Sequence, residues 1–164
     1  MKQKQSVTRK VLIGLIAASG MLSGTAFAAG NIDVKESVTL NAKPAAVWAL
    51  VGDYNGLYRW HPAIATSDRQ DKVRVLTLGD GATITEMLLE QDNENHSYRY
   101  AITKSPLPVA DYEAEIAVQS NGKGGSTVTW STSFNAAGLP DKEAEKVIQG
   151  VFKAGLGNLE KLYN

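Results

Sequence analysis

The sequence predicts an α+β fold, a long antiparallel meander of strands with helices at its ends. Three observations predict it. Residues 141–163 place Ala144, Val147, Ile148, Val151, Phe152, Leu156, Leu159 and Leu162 at steps of three and four, one apolar stripe on a helical period. Six short segments between 64 and 135 alternate apolar and polar residues and are separated by turn-forming clusters. A further alternating segment, 32–40, precedes two short helical stretches, giving the order β-α-α-β-β-β-β-β-β-α.

The chain opens with a segment outside that fold. Lys2, Lys4, Arg9 and Lys10 form a basic start without an acid, and Val11 to Leu22 is a mostly apolar run too short to span a bilayer. Ala26-Phe27-Ala28 supplies the small residues that a signal peptidase reads, so residues 1–28 are expected to be a signal peptide cleaved after Ala28. Export of a soluble product, periplasmic or secreted, without stable membrane insertion after cleavage, is the expectation. Residues 29–164 then form a single domain with 13 basic and 17 acidic residues, a net charge of −4. That mild acidity, without a basic run, argues against nucleic acid as a partner. With no cysteine there is no disulfide framework, so burial must stabilise the domain.

Ile32 to Leu40 reads as the first strand, ended by Asn41-Ala-Lys-Pro44. Pro44 starts a short helix that turns Val47, Trp48 and Val51 inward, and a second follows around Tyr54 to Tyr58. Pro62 disfavours helical geometry at His61, so the chain should leave there into strands near 64–69 and 73–78. Gly79-Asp80-Gly81 makes a tight turn into residues 82–91, and Asp92-Asn-Glu-Asn95 joins these to residues 97–103. After the stiff loop Ser105-Pro-Leu-Pro108, strands at 109–119 and 126–135 are linked by Asn121-Gly-Lys-Gly-Gly125. Pro140 suits the first position of the closing helix, with Asp141 and Glu143 at the positive end of its dipole. Gly150, Gly155 and Gly157 inside that helix each cost about 1 kcal/mol relative to alanine. Such residues are kept where something must come close to the backbone or space must stay open.

Strand parity predicts a wall facing the helix. Tyr98, Tyr100 and Ile102 share a face, as do Tyr112, Ala114, Ile116 and Val118, and Val128, Trp130, Thr132 and Phe134. Each aromatic alone is as consistent with plain core packing. Together, three tyrosine hydroxyls that need partners, opposite a helix bearing glycines, describe a small-molecule site. Glu86 shares parity with Ile84 and Leu88, which would put a carboxylate on an apolar face; the competing face is Thr85, Met87 and Leu89. Burial would raise its pKa unless a cation compensates.

His61 lies near Asp53, Arg59 and Trp60, but in a Trp-His-Pro turn a packing or capping role outweighs catalysis. His96 sits in a polar turn. Two histidines without cysteine give no zinc site, no acid cluster points to calcium, and no cofactor is expected. The glycine clusters are hairpin turns, not phosphate loops, and no nucleophile elbow is present.

Several motifs carry a resemblance. Val38-Thr-Leu-Asn-Ala-Lys-Pro-Ala-Ala-Val-Trp48 resembles the opening of the START/Bet v 1-like (SRPBCC) superfamily. Asp53 to Pro62 is similar to that family's second helix and its exit in the polyketide cyclase/dehydrase and lipid transport branch. Gly81 to Glu86, Pro106 to Tyr112 and Thr127 to Trp130 also resemble that branch, and the five motifs follow its order across residues 29–164. The resemblance implies a helix-grip fold, a curved seven-stranded sheet wrapped around the C-terminal helix and enclosing an apolar cavity. It also implies that the position of Glu86 lines the cavity, as in the plant hormone-receptor branch. An exported, cysteine-free, single-domain chain further resembles the MxaD-type periplasmic proteins associated with methanol oxidation.

These readings lead to an exported binding or carrier protein for a small hydrophobic molecule. Its expected ligand-binding residues are Trp60, Glu86, Tyr98, Tyr100, Ile102, Leu107, Tyr112, Ala114, Trp130, Phe134, Val147, Val151, Phe152 and Gly155. The alternatives are a cyclase- or dehydratase-like enzyme using His61 or Glu86, and an accessory module that docks onto a periplasmic oxidoreductase. Binding is favoured over catalysis because no nucleophile–base pair is legible.

Overall fold

The computed structural model describes residues 30–164, so the leader expected over 1–28 lies outside the described residues. Strand β1 (Ile32–Leu40) leads into α1 (Pro44–Val51) and a 3-10 helix (Tyr54–Arg59). A meander follows: β2 (Ile64–Gln70), β3 (Val73–Leu78), β4 (Thr83–Asp92), β5 (Ser97–Lys104), β6 (Val109–Ser120) and β7 (Ser126–Ala136). The chain closes with α2 (Asp141–Tyr163). The seven strands form one antiparallel sheet in the order β1-β7-β6-β5-β4-β3-β2. The curved sheet and its C-terminal helix are the helix-grip arrangement that the resemblance implied.

Local chemistry explains the elements. Pro44 opens α1 at the position where a missing N–H costs nothing. Asp53 caps the 3-10 helix by accepting from Asn55 N–H. Gly81, at φ +87°, takes the left-handed conformation that the β3–β4 turn requires. Pro140 stands one residue before α2 rather than inside it, and its carbonyl accepts from Glu143 and Ala144 N–H.

The predicted parity of β5, β6 and β7 holds. Tyr98, Tyr100, Tyr112, Ala114, Ile116, Val118, Val128, Trp130, Thr132 and Phe134 are all buried, and Ile102 partly so. Against them α2 lays Ala144, Ile148, Phe152, Leu156 and Leu159, and Phe152 stacks on Trp130 at 4.3 Å between ring centroids. Burying a side chain such as Phe152 contributes about 1.5–3 kcal/mol. Two members of the expected stripe fall outside it. Val147 is 36% exposed and Leu162 54%, because Val147 sits at the margin of the buried face and Leu162 in the last turn of the helix. The β4 alternative is also decided: Ile84, Glu86 and Leu88 face inward, and Met87 is exposed beside Val73 and Val75 on the outer face of β3.

Candidate functional site

Beneath α2 the two layers leave a cavity of about 30 Å³. A water needs about 10–15 Å³ of such volume, and typical ligand pockets run to about 300–1,000 Å³. The interior is therefore nearly closed in this state. The wall is mostly apolar. Leu57 and Ile64 flank His61, Leu76 and Ile84 come from β3 and β4, Leu107 from the β5–β6 loop, and Ile148 and Val151 from α2. Glu86, Tyr100, Ile102, Tyr112 and Trp130 complete it.

Of the expected ligand-binding residues, seven border this space: Glu86, Tyr100, Ile102, Leu107, Tyr112, Trp130 and Val151. Trp60, Tyr98, Ala114, Phe134 and Phe152 are buried in the surrounding core instead. Val147 is on the surface and does not reach the cavity. Gly155 does not hold space open either. A Cβ there would lie 2.7 Å from His61 Cδ2 and 3.0 Å from ring atoms of Trp60 and Trp130, so the glycine admits three rings against the helix backbone. At Gly150 and Gly157 a Cβ would meet nothing within 4 Å.

The polar centre includes a residue that parity reading had not singled out. Arg74 stands opposite Glu86 in the β3–β4 register, wholly buried, and its Nε donates to Glu86 Oε2 at 2.6 Å. That is the short range of a charge-assisted bond. Arg74 Nη1 donates to the Tyr54 carbonyl, and the guanidinium lies 3.9 Å from the centroid of the Tyr54 ring, a cation–π contact. Burial pushes the Glu86 pKa up, and Arg74 opposes that shift. Burial acts against the charge on Arg74, yet Glu86 and the neighbouring phenols outweigh it and hold the guanidinium protonated. The signal for Arg74 was present in the sequence. A hairpin centred on Asp80 pairs residues 74 and 86, a cross-strand pair of opposite charge.

The other titratable groups are engaged as well. His61 Nε2 lies 2.9 Å from the Val151 carbonyl, which can only accept, so Nε2 carries the proton. Nδ1 then accepts from Ala63 N–H at 3.3 Å. Burial lowers the His61 pKa, partly offset by the bond to Val151. Trp130 Nε1 donates to Tyr100 Oη at 3.0 Å. Burial raises the pKa of Tyr54, Tyr100 and Tyr112, and pushes Tyr98 up to about 12, with Arg74 working the other way. These phenols keep their protons, and the buried Tyr54 hydroxyl has no hydrogen-bond partner among the described residues. Among the described residues no group of three or more His, Cys, Asp or Glu is placed to hold a metal ion.

Comparison with known proteins supplies the setting. The family described as "Polyketide cyclase / dehydrase and lipid transport" matches residues 31–164. The protein XoxI from Bacillus cereus is 31% identical, with a TM-score of 0.78, over 80% of this chain and 94% of that one. An uncharacterized protein from Bacillus thuringiensis is 30% identical, with a TM-score of 0.77, over 80% and 98%. The ZhuI aromatase/cyclase from Streptomyces sp. R1128 is 16% identical, with a TM-score of 0.66, over 79% and 92%, a likeness of fold. No curated protein matches the chain.

Proposed function

Because the chain belongs to the polyketide cyclase/dehydrase and lipid transport family, we propose that it is an exported binding or carrier protein for a small apolar molecule with one or two polar groups. One observation carries the choice of binding over catalysis. The carboxylate and the histidine that border the apolar cavity are both already held, Glu86 by Arg74 and His61 by Val151 and Ala63. A cyclase-like reaction needs a proton-transfer group free to reach the substrate. His61 is not free for that task, the phenols are held protonated, and Glu86, paired with Arg74 through Oε2, keeps Oε1 alone to accept from an occupant.

The closed volume sets a condition on this reading. An occupant larger than a few waters must widen the cavity, whose wall includes Ile148 and Val151 of α2 and Leu107 of the β5–β6 loop. Native mass spectrometry of the protein purified from its own exported fraction tests it. A non-covalent small-molecule adduct, released on mild activation, is the expected result. Bare protein that also ignores apolar probes would remove the carrier function.

The same small volume favours a second reading, an accessory module that docks by its outer surface onto another exported protein, with a vestigial cavity. Cross-linking in that fraction separates the two, since a docking module gives a stoichiometric protein adduct and no bound small molecule.

A further inference from the structure

The cavity's polar groups differ in what they still offer an occupant. Among the described residues, the Glu86 side chain receives one hydrogen bond, from Arg74 Nε to Oε2. Oε1 receives none, and Glu86 belongs to the cavity wall whereas Arg74 does not. Arg74 lies behind it, outside the wall, with Nε on Glu86, Nη1 on the Tyr54 carbonyl and its face against the Tyr54 ring, while its buried Nη2 has no partner among the described residues. His61 has both ring nitrogens engaged, and Tyr100 Oη already accepts from Trp130. An occupant therefore meets an apolar wall in which Glu86 Oε1 is the open charged acceptor, beside the phenols of Tyr100 and Tyr112.

We infer that the site selects neutral molecules bearing a hydrogen-bond donor, alcohols or phenols, and rejects carboxylates of the same shape. A donor satisfies Oε1 without adding charge to a region where Arg74 and Glu86 already cancel. An anion would be desolvated against a carboxylate, with Arg74 behind that carboxylate and outside the wall. This rests on the binding reading above and adds the chemical class of the ligand.

The test uses three small probes of matched shape: phenol, toluene and benzoate. Binding is followed by the indole N–H resonance of Trp130, which borders the cavity. Phenol should bind about ten- to a hundredfold tighter than toluene, the range for a hydrogen bond to a charged group. Benzoate should bind at least about tenfold more weakly than phenol. An Arg74→Met, Glu86→Leu double replacement should erase the preference for phenol over toluene. Equal affinity for phenol and toluene in the native protein would overturn the inference and leave the carrier function standing. Benzoate binding tightest would overturn it in favour of Arg74 as the presented group. Failure of all three probes to bind would take down the carrier function together with the inference.

Discussion

Arg74 and Glu86 face each other across β3 and β4 and close a 2.6 Å ion pair inside the sheet, with both side chains almost wholly removed from solvent. Breaking one partner leaves the other charge buried alone, which costs about 3–5 kcal/mol, whereas replacing both by apolar groups of similar volume is often neutral or stabilising. Glu86→Gln, which keeps the shape of the side chain, should therefore lower unfolding free energy by about 3–5 kcal/mol. Arg74→Met with Glu86→Leu should recover most of that loss. Urea unfolding of the three proteins checks both statements; a Glu86→Gln protein as stable as the parent would mean that the pair is not desolvated.

Gly155 and Gly150 give opposite predictions from the same chemical change. Gly155→Ala adds a methyl group 2.7 Å from His61 Cδ2, and overpacking of that kind costs about 1–3 kcal/mol. The helix-propensity gain of about 1 kcal/mol offsets only part of it. Gly150→Ala meets nothing within 4 Å and should stabilise by up to about 1 kcal/mol. Thermal melts of the two variants should shift in opposite directions, and a rise for Gly155→Ala would show that the ring cluster can move aside.

The pKa of His61 is lowered in the folded chain, so the native state binds a proton less readily than the unfolded one. Its contribution is complete above the ordinary value of 6.5 and is lost as pH falls through the folded value. Stability should decline on acidification below about 6.5, with a slope of at most about 1.4 kcal/mol per pH unit from this group. His61→Gln, which has no titrating ring, should flatten that decline. Denaturant midpoints measured from pH 7 to pH 5 decide it, and identical slopes in the two proteins would place the acid sensitivity elsewhere.

Export predicts a mature product that begins at Ala29 and is recovered in the soluble exported fraction. N-terminal sequencing of protein from its own source checks this. A product that begins at Met1, or one retained in the membrane, would remove the exported setting from the proposed function.

Much of the architecture was legible because the features that specify it are local. Alternation along β5, β6 and β7 assigned each side chain to a face, and all but one of those assigned inward, Ile102, are fully buried. Glu86 remained two-sided because β4 carries apolar residues on both faces, Ile84 and Leu88 against Met87 and Leu89. Arg74 was hidden for a related reason: Val73 and Val75 flank it and take the exposed face, where a strand read alone would place an arginine. Val147 failed because a helical stripe is wider than the surface that covers it, and the sheet reaches only its centre.

By itself the sequence determined the kinds of element, their order, the inward faces of three strands and the family to which the chain belongs, since each depends on periodicity or short motifs within a few residues. Only the tertiary structure decided which face of β4 is buried, that Arg74 neutralises Glu86, that Gly155 seats His61, Trp60 and Trp130, and that the cavity is about 30 Å³. These depend on contacts between distant parts of the chain, as between His61 and Val151. The cavity is the small remainder after two packed layers meet, and so follows from the fit of many side chains at once rather than from any local pattern.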